Sequence, residues 1–221
     1  MNDLAIAITG ELPAHLNTDS SRGNDNVGNQ LVIPRIKLIQ KMSNEVDENH
    51  PDYVKDAKVG MFVNTLTKQC YEELYVLSLN FTVQYAVWRE HDKGGGYGGS
   101  FPTMEEANEA VASQDNPKDW AVQENHAHLI VVVDPETGAL EQTPVIFDFA
   151  SSKLATSRAW NSKLSLQGGD RFSSTWKITS KTVTSRMGQQ YQNLDVDLLG
   201  WATEANYKAA EALYDAFKDV R

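Results

Sequence analysis

Tyr75-Val76-Leu77-Ser78-Leu79-Asn80-Phe81-Thr82-Val83-Gln84-Tyr85-Ala86-Val87 decides the fold. The odd positions read Tyr, Leu, Leu, Phe, Val, Tyr, Val, and the even positions are mostly small or polar. Alternate side chains of a strand point to opposite faces, so this period of two predicts one long strand. Tyr75, Leu77, Phe81, Val83 and Tyr85 should face a core. A strand this long has to bend, as strands do in small barrels.

Further strands are expected at Ile33–Ile39, Met61–Leu66, Ala127–Val133 and Val145–Phe149. Phe172–Val183 and Gln190–Leu199 should form a hairpin turning at Arg186–Gly188. Three helices fit among them. Thr103 and Glu106 form a capping box that opens Met104–Ser113. Ser151 or Ser152 should cap Lys153–Ser165. A last helix starts at Thr203, with Tyr207, Ala210, Leu213, Tyr214 and Phe217 on one stripe. Strands and helices do not alternate as in a doubly wound sheet. The expected fold is therefore mostly β with added helices (α+β), a partly open antiparallel barrel. Residues 1–30 hold few large apolar side chains and read as a flexible polar N-terminal arm. Residues 31–221 read as a single domain.

The 221 residues carry a net charge of −10 and one cysteine, Cys70. A lone cysteine allows no internal disulfide and no cysteine-based zinc site, and it suits a reducing compartment. The longest apolar run, Leu129–Val133, is too short to cross a bilayer. With no basic, apolar leader at the N-terminus, the reading is cytoplasmic.

Catalytic signatures are scarce. There is no Walker loop, no Gly-x-Ser-x-Gly elbow and no His-x-Glu deaminase motif. Asp195 and Asp197 share a strand face and could serve a metal-dependent nuclease, but clustered carboxylates are wanted and none accompanies them. His126 and His128 also share a face and could hold zinc, yet a third ligand is not apparent. No cofactor is implied. Gly94-Gly95-Gly96-Tyr97-Gly98-Gly99 spells Gly-x-Gly-x-x-Gly. Charged residues Arg89–Lys93 separate it from the strand, so the tight phosphate-binding turn is missing. It reads as a flexible loop or as a mobile finger with an aromatic tip, Tyr97.

The charge is unevenly placed. From Ser151 to Met187 stand Lys153, Arg158, Lys163, Arg171, Lys177, Lys181 and Arg186 against one acid, Asp170. Aromatic residues are interleaved: Trp160, Phe172, Trp176 and, just beyond, Tyr191. Cations for phosphates and rings for bases are what single-stranded nucleic acid requires. Strand parity sends Trp176 inward and leaves Lys177 and Lys181 on the other face. Trp160 should be a half-buried edge residue of its helix, and Tyr191 should point away from the core.

These segments resemble the single-stranded DNA-binding proteins of tailed bacteriophages. The likeness rests on Ser152-Lys153-Leu154-Ala155, Arg158-Ala159-Trp160-Asn161, Phe172-Ser173-Ser174-Thr175-Trp176-Lys177-Ile178 and Gly188-Gln189-Gln190-Tyr191. It extends to Ile33-Pro34-Arg35-Ile36-Lys37-Leu38 and to the strand ending in Trp88. The resemblance implies an OB-type barrel, no catalysis, and binding that protects single strands in phage DNA replication or recombination. Site residues would be Lys153, Arg158, Trp160, Lys163, Arg171, Lys177, Lys181, Arg186, Tyr191, Trp88 and Tyr97, with single-stranded DNA and phage replication or recombination proteins as the partners it implies. The C-terminus departs from that class, since Lys218-Asp219-Val220-Arg221 is no acidic tail. A protein–protein module, such as a virion component or an inhibitor of a host protein, is the rival reading, and a metal-dependent nuclease the second.

Overall fold

A computed structural model describes residues 32–218. The proposed N-terminal arm lies outside the described residues. The chain forms β1 (Arg35–Leu38), β2 (Phe62–Asn64), β3 (Cys70–Tyr71), β4 (Leu74–Arg89), β5 (Tyr97–Phe101), α1 (Met104–Ala112), β6 (Trp120–Val132), β7 (Val145–Ala150), α2 (Leu154–Gln167), β8 (Ser174–Thr184), β9 (Gln190–Trp201) and α3 (Glu204–Phe217). The strands make one sheet in the order β3-β2-β1-β7-β6-β4-β8-β9, with β5 alongside the far half of β4. Every pairing is antiparallel except β1 with β7. That parallel pair makes the sheet mixed, where sequence reading expects an antiparallel one.

The sheet curls into a half-barrel, in keeping with an OB-like α+β fold. Its open seam is bridged by one side chain. The Gln40 amide donates to Gln192 O at 2.9 Å and accepts from Gln192 N at 2.8 Å, so it stands in for a strand pairing between the end of β1 and β9.

The interior is filled by Leu74 and Val76 of β4, Ile130 and Val132 of β6, Phe147 and Phe149 of β7, and Trp176 and Ile178 of β8. α2 closes one end and drives in Trp160, which is 0% exposed. Sequence reading places Trp160 at a half-buried edge. Instead its ring stacks on His128 at 4.5 Å and meets Trp176 at 6.1 Å. Only Ser157, Trp160 and Leu164 of α2 are buried. A stripe this narrow, containing a serine, gives a weak amphipathic signal.

The long strand behaves differently from the expectation of one inward set. Its first half is buried on both sides. Leu77 and Leu79 pack outward, with Tyr75, under Phe172 and the Ala210, Tyr207 and Tyr214 face of α3. A bulge at Leu79 then shifts the register against β6. A bulge reverses parity, so Phe81 turns inward onto His126 and His128, with ring centroids 5.2 and 4.9 Å away.

The helix ends follow local chemistry. Thr103 accepts from Glu106 N at 3.2 Å, and Thr203 accepts from Asn206 N at 3.2 Å. Neither Ser151 nor Ser152 caps α2, which is entered through a 3-10 turn over Ser151–Lys153. The glycine stretch is only partly a loop, because Tyr97–Phe101 pairs with Tyr85–Trp88. Gly98 permits that close pairing: a Cβ there would lie 2.8 Å from Trp120 and 2.9 Å from Val87. Among the described residues no helix is long and apolar enough to cross a membrane.

Candidate functional site

α3 covers only the near half of the sheet's outer face. Beyond it, where the Asn80 amide reaches Lys218 O at 3.3 Å, no helix among the described residues covers the face. By parity after the bulge, β4 presents Asn80, Thr82, Gln84, Ala86 and Trp88 there. β6 adds Gln123 and Asn125, β7 adds Asp148, and β1 adds Arg35. Of these, Arg35, Gln84, Ala86, Gln123, Asn125 and Asp148 line a hollow of about 500 Å³ headed by Trp88 and Tyr97. Both rings are exposed, at 45% and 58%, with centroids 4.9 Å apart. Large rings left in water beside each other are costly unless something covers them. The floor is polar. Arg35 is ion-paired with Asp148. Asn125 donates to the same carboxylate at 2.6 Å, and Gln123 donates to Ser151 Oγ at 2.6 Å.

The predicted cationic track is dispersed by the fold. Lys177 Nζ lies 2.5 Å from Glu73 and over the Tyr75 ring at 5.6 Å. Hydrogen bonds from Lys177 and then Tyr75 hold the Glu73 carboxyl below its usual range. Lys181 lies 2.5 Å from Asp195. Lys163 donates to Val196 O at 2.7 Å and lies 3.9 Å from Asp197. Arg158 pairs with Glu124 at 2.8 Å. Four of the seven cations thus face carboxylates, two of which, Glu73 and Glu124, come from distant parts of the chain. Each aspartate of the Asp195/Asp197 pair answers a lysine, and among the described residues no group of three ligands suited to a metal is found.

Three cations stand apart. Arg186 sits exposed beside Met187 at the tip of the β8–β9 hairpin. Lys153 is half-buried; burial pushes its ammonium down while Asp148 opposes the shift. Among the described residues Arg171 has only neutral partners, Ser78 Oγ at 3.2 Å and Asn161 Oδ1 at 3.0 Å, and its guanidinium lies 5.6 Å from the Phe81 ring centre. Burial lowers it to about 10. Tyr191, half-buried opposite Val183, is turned out of the core as expected.

The histidine pair makes a hydrogen-bond relay, which sequence reading misses. Glu124 accepts from His126 Nε2 at 2.8 Å, which leaves His126 Nδ1 as the acceptor for Ser157 O–H at 2.7 Å. Ser157 Oγ then accepts from His128 Nε2 at 2.7 Å. The order is that of an acid, a base and a hydroxyl nucleophile. Ser157 is 0% exposed, however, so no substrate reaches it. The relay instead ties α2 to β6 inside the barrel. Burial, with Arg171 and His126 nearby, holds His128 neutral, well below the usual imidazole range.

Of the predicted residues, the fold brings Trp88 and Tyr97 together, places Lys153 within electrostatic reach of Asp148 in the same hollow, and buries Trp160 where no base can stack on it. It adds Arg35, Gln84, Gln123 and Asn125, whose only sequence signal is their place in strands with a polar face. The surface can stack a flat ring and offer amide hydrogen bonds; its positive charge is small. A family model described as Pam3 phage gp34-like protein matches residues 6–221. No curated protein and no solved structure matches the chain.

Proposed function

Because the chain belongs to the Pam3 phage gp34-like protein family, we propose that it is a non-catalytic phage protein holding single-stranded DNA on the outer face of β4, β5, β6 and β7. It would act in the host cytoplasm during replication or recombination. The observation that carries this reading is the exposed Trp88–Tyr97 pair at the head of an amide-lined hollow. Aromatic rings stack on any base, and amides meet the unpaired base edges that only single strands expose. Arg35 supplies one phosphate contact if Asp148 yields it.

A second reading, a protein–protein module, is favoured by the pairing of the lysines with carboxylates and by the net charge of −10. Anisotropy with labelled oligo-dT, the matching duplex and oligo-U separates the two. Single-strand binding that outruns duplex binding and is lost with added salt supports the first. No binding to any of the three at low salt transfers the face to a protein partner.

A further inference from the structure

Parity along β7 sends Val145, Phe147 and Phe149 into the barrel and leaves Ile146, Asp148 and Ala150 on the outer face. Among the described residues that line the hollow below Trp88 and Tyr97, Asp148 is the one acid and Arg35 the one cation. An acid on a surface that holds a polyanion is repelled by every phosphate that comes near. What it attracts in a nucleic acid is a base edge that carries hydrogen-bond donors.

The acid is held from two sides. Arg35 is ion-paired to Oδ2, and Asn125 donates from Nδ2 to Oδ1 at 2.6 Å. The Arg35 and Asp148 side chains are 47% and 28% exposed. An ion pair so open to water is readily parted, which lets Arg35 turn to a phosphate. Oδ2 then loses its donor. Lys153 lies within electrostatic reach, but among the described residues no hydrogen bond joins it to Asp148. Asn125 Oδ1 is buried and also has no hydrogen-bond partner among the described residues. Once a phosphate takes Arg35, this corner has acceptors in excess of donors, and leaving a part-buried carboxylate oxygen unmet is costly.

The four bases meet that excess differently. Thymine offers one N–H between two carbonyl oxygens, which repel a carboxylate. Cytosine and adenine each set an amine beside a ring nitrogen that accepts. Guanine alone sets two donors side by side on its Watson–Crick edge, N1–H and N2–H. A carboxylate is an acceptor on both oxygens, so guanine is its match. That edge is free in a single strand and occupied in a duplex.

We propose that the Asp148 corner selects guanine within the bound single strand, Asp148 accepting from N1–H and N2–H while Arg35 moves to a phosphate. The inference rests on the nucleic-acid reading of this face and adds a choice of base to it. Asp148 pairs with Ala127, and Ala127 with Thr82, so its row crosses β4 six residues before Trp88. At about 3.3 Å per residue that is roughly 20 Å, and the guanine that is read is a different nucleotide from the base stacked at Trp88.

The test uses the full chain and labelled oligo-dT strands of about eight nucleotides, within the span of one such barrel. One strand is unmodified, and the others carry one central dG, dA, deoxyinosine or 7-deaza-dG. The dG strand should bind about tenfold more tightly than the dA strand, which stacks as well but lacks the paired donors. The 7-deaza-dG strand keeps the same edge and should match dG. Deoxyinosine has lost the amine and should fall between dG and dA. Asp148→Asn should lose the preference for dG. Binding of oligo-dT with no lead of dG over dA overturns the proposal and leaves the stacking face standing. A lead that vanishes with 7-deaza-dG, that deoxyinosine matches in full, or that survives in Asp148→Asn overturns it as well. No binding of any strand overturns both the face and its choice of base. If Asp148→Asn fails to fold, by near-ultraviolet circular dichroism, the comparison of dG, dA, deoxyinosine and 7-deaza-dG on the parent chain decides alone.

Discussion

Replacing Tyr97 or Trp88 by alanine should weaken oligo-dT binding while leaving the fold intact. The rings are 58% and 45% exposed and lie against each other at 4.9 Å, so each truncation should cost less than about 1 kcal/mol of stability. A base stacked on an aromatic ring is worth about 1–3 kcal/mol, which is roughly a 5- to 150-fold loss of affinity. Charge plays the smaller part. Arg35 lines the hollow and Lys153 lies within electrostatic reach of it. Single strands lose about 0.7 in log–log salt slope per phosphate contact, so two contacts give about −1.4. Arg35→Gln should flatten the slope by about 0.7, while Tyr97→Ala should leave it unchanged, because stacking releases no counter-ions. Anisotropy titrations from about 50 to 200 mM salt measure both quantities. Ring variants that bind like the parent refute the stacking site. A slope steeper than about −2 would mean that the ion-paired lysines open to phosphate, contrary to the placement of Lys177 and Lys181.

Stability should fall in mild acid. His128 is held neutral in the fold but takes up a proton near pH 6.5 when unfolded. Its contribution is therefore whole above about pH 6.5 and declines below it, by at most about 1.4 kcal/mol per pH unit. Urea midpoints at pH 7.5 and 5.5 check this, and a His128→Gln variant with the same decline would locate the cause elsewhere. Gln40→Ala strips the partners from both Gln192 backbone groups and should cost about 1–3 kcal/mol, read as a lower urea midpoint. Gly98→Ala forces a methyl against Trp120 and Val87 and should cost about 1–3 kcal/mol in the same measurement.

Much of the framework is legible in local pattern. Period two over Tyr75–Val87 marks β4, and threonine caps mark the starts of α1 and α3. Both signals depend on neighbours in sequence, which is why one chain suffices to read them. The inward set of β4 is not legible, because a bulge at Leu79 reverses parity and only the pairing with β6 shows it. The parallel approach of β1 to β7 spans more than a hundred residues and leaves no local trace. The cationic stretch after Ser151 has a true composition but a misleading charge. Electrostatic energy depends on distance in space, and folding brings Glu73 to Lys177 and Glu124 to Arg158. Both tryptophans of that stretch, Trp160 and Trp176, are spent on the barrel core, while Trp88 and Tyr97, separated by a glycine-rich turn, become neighbours through a strand pairing. Sequence determined that this chain would be a curled β sheet with three helices. Tertiary structure decided which rings and charges face the solvent, since exposure is a property of the whole packing and not of any one segment.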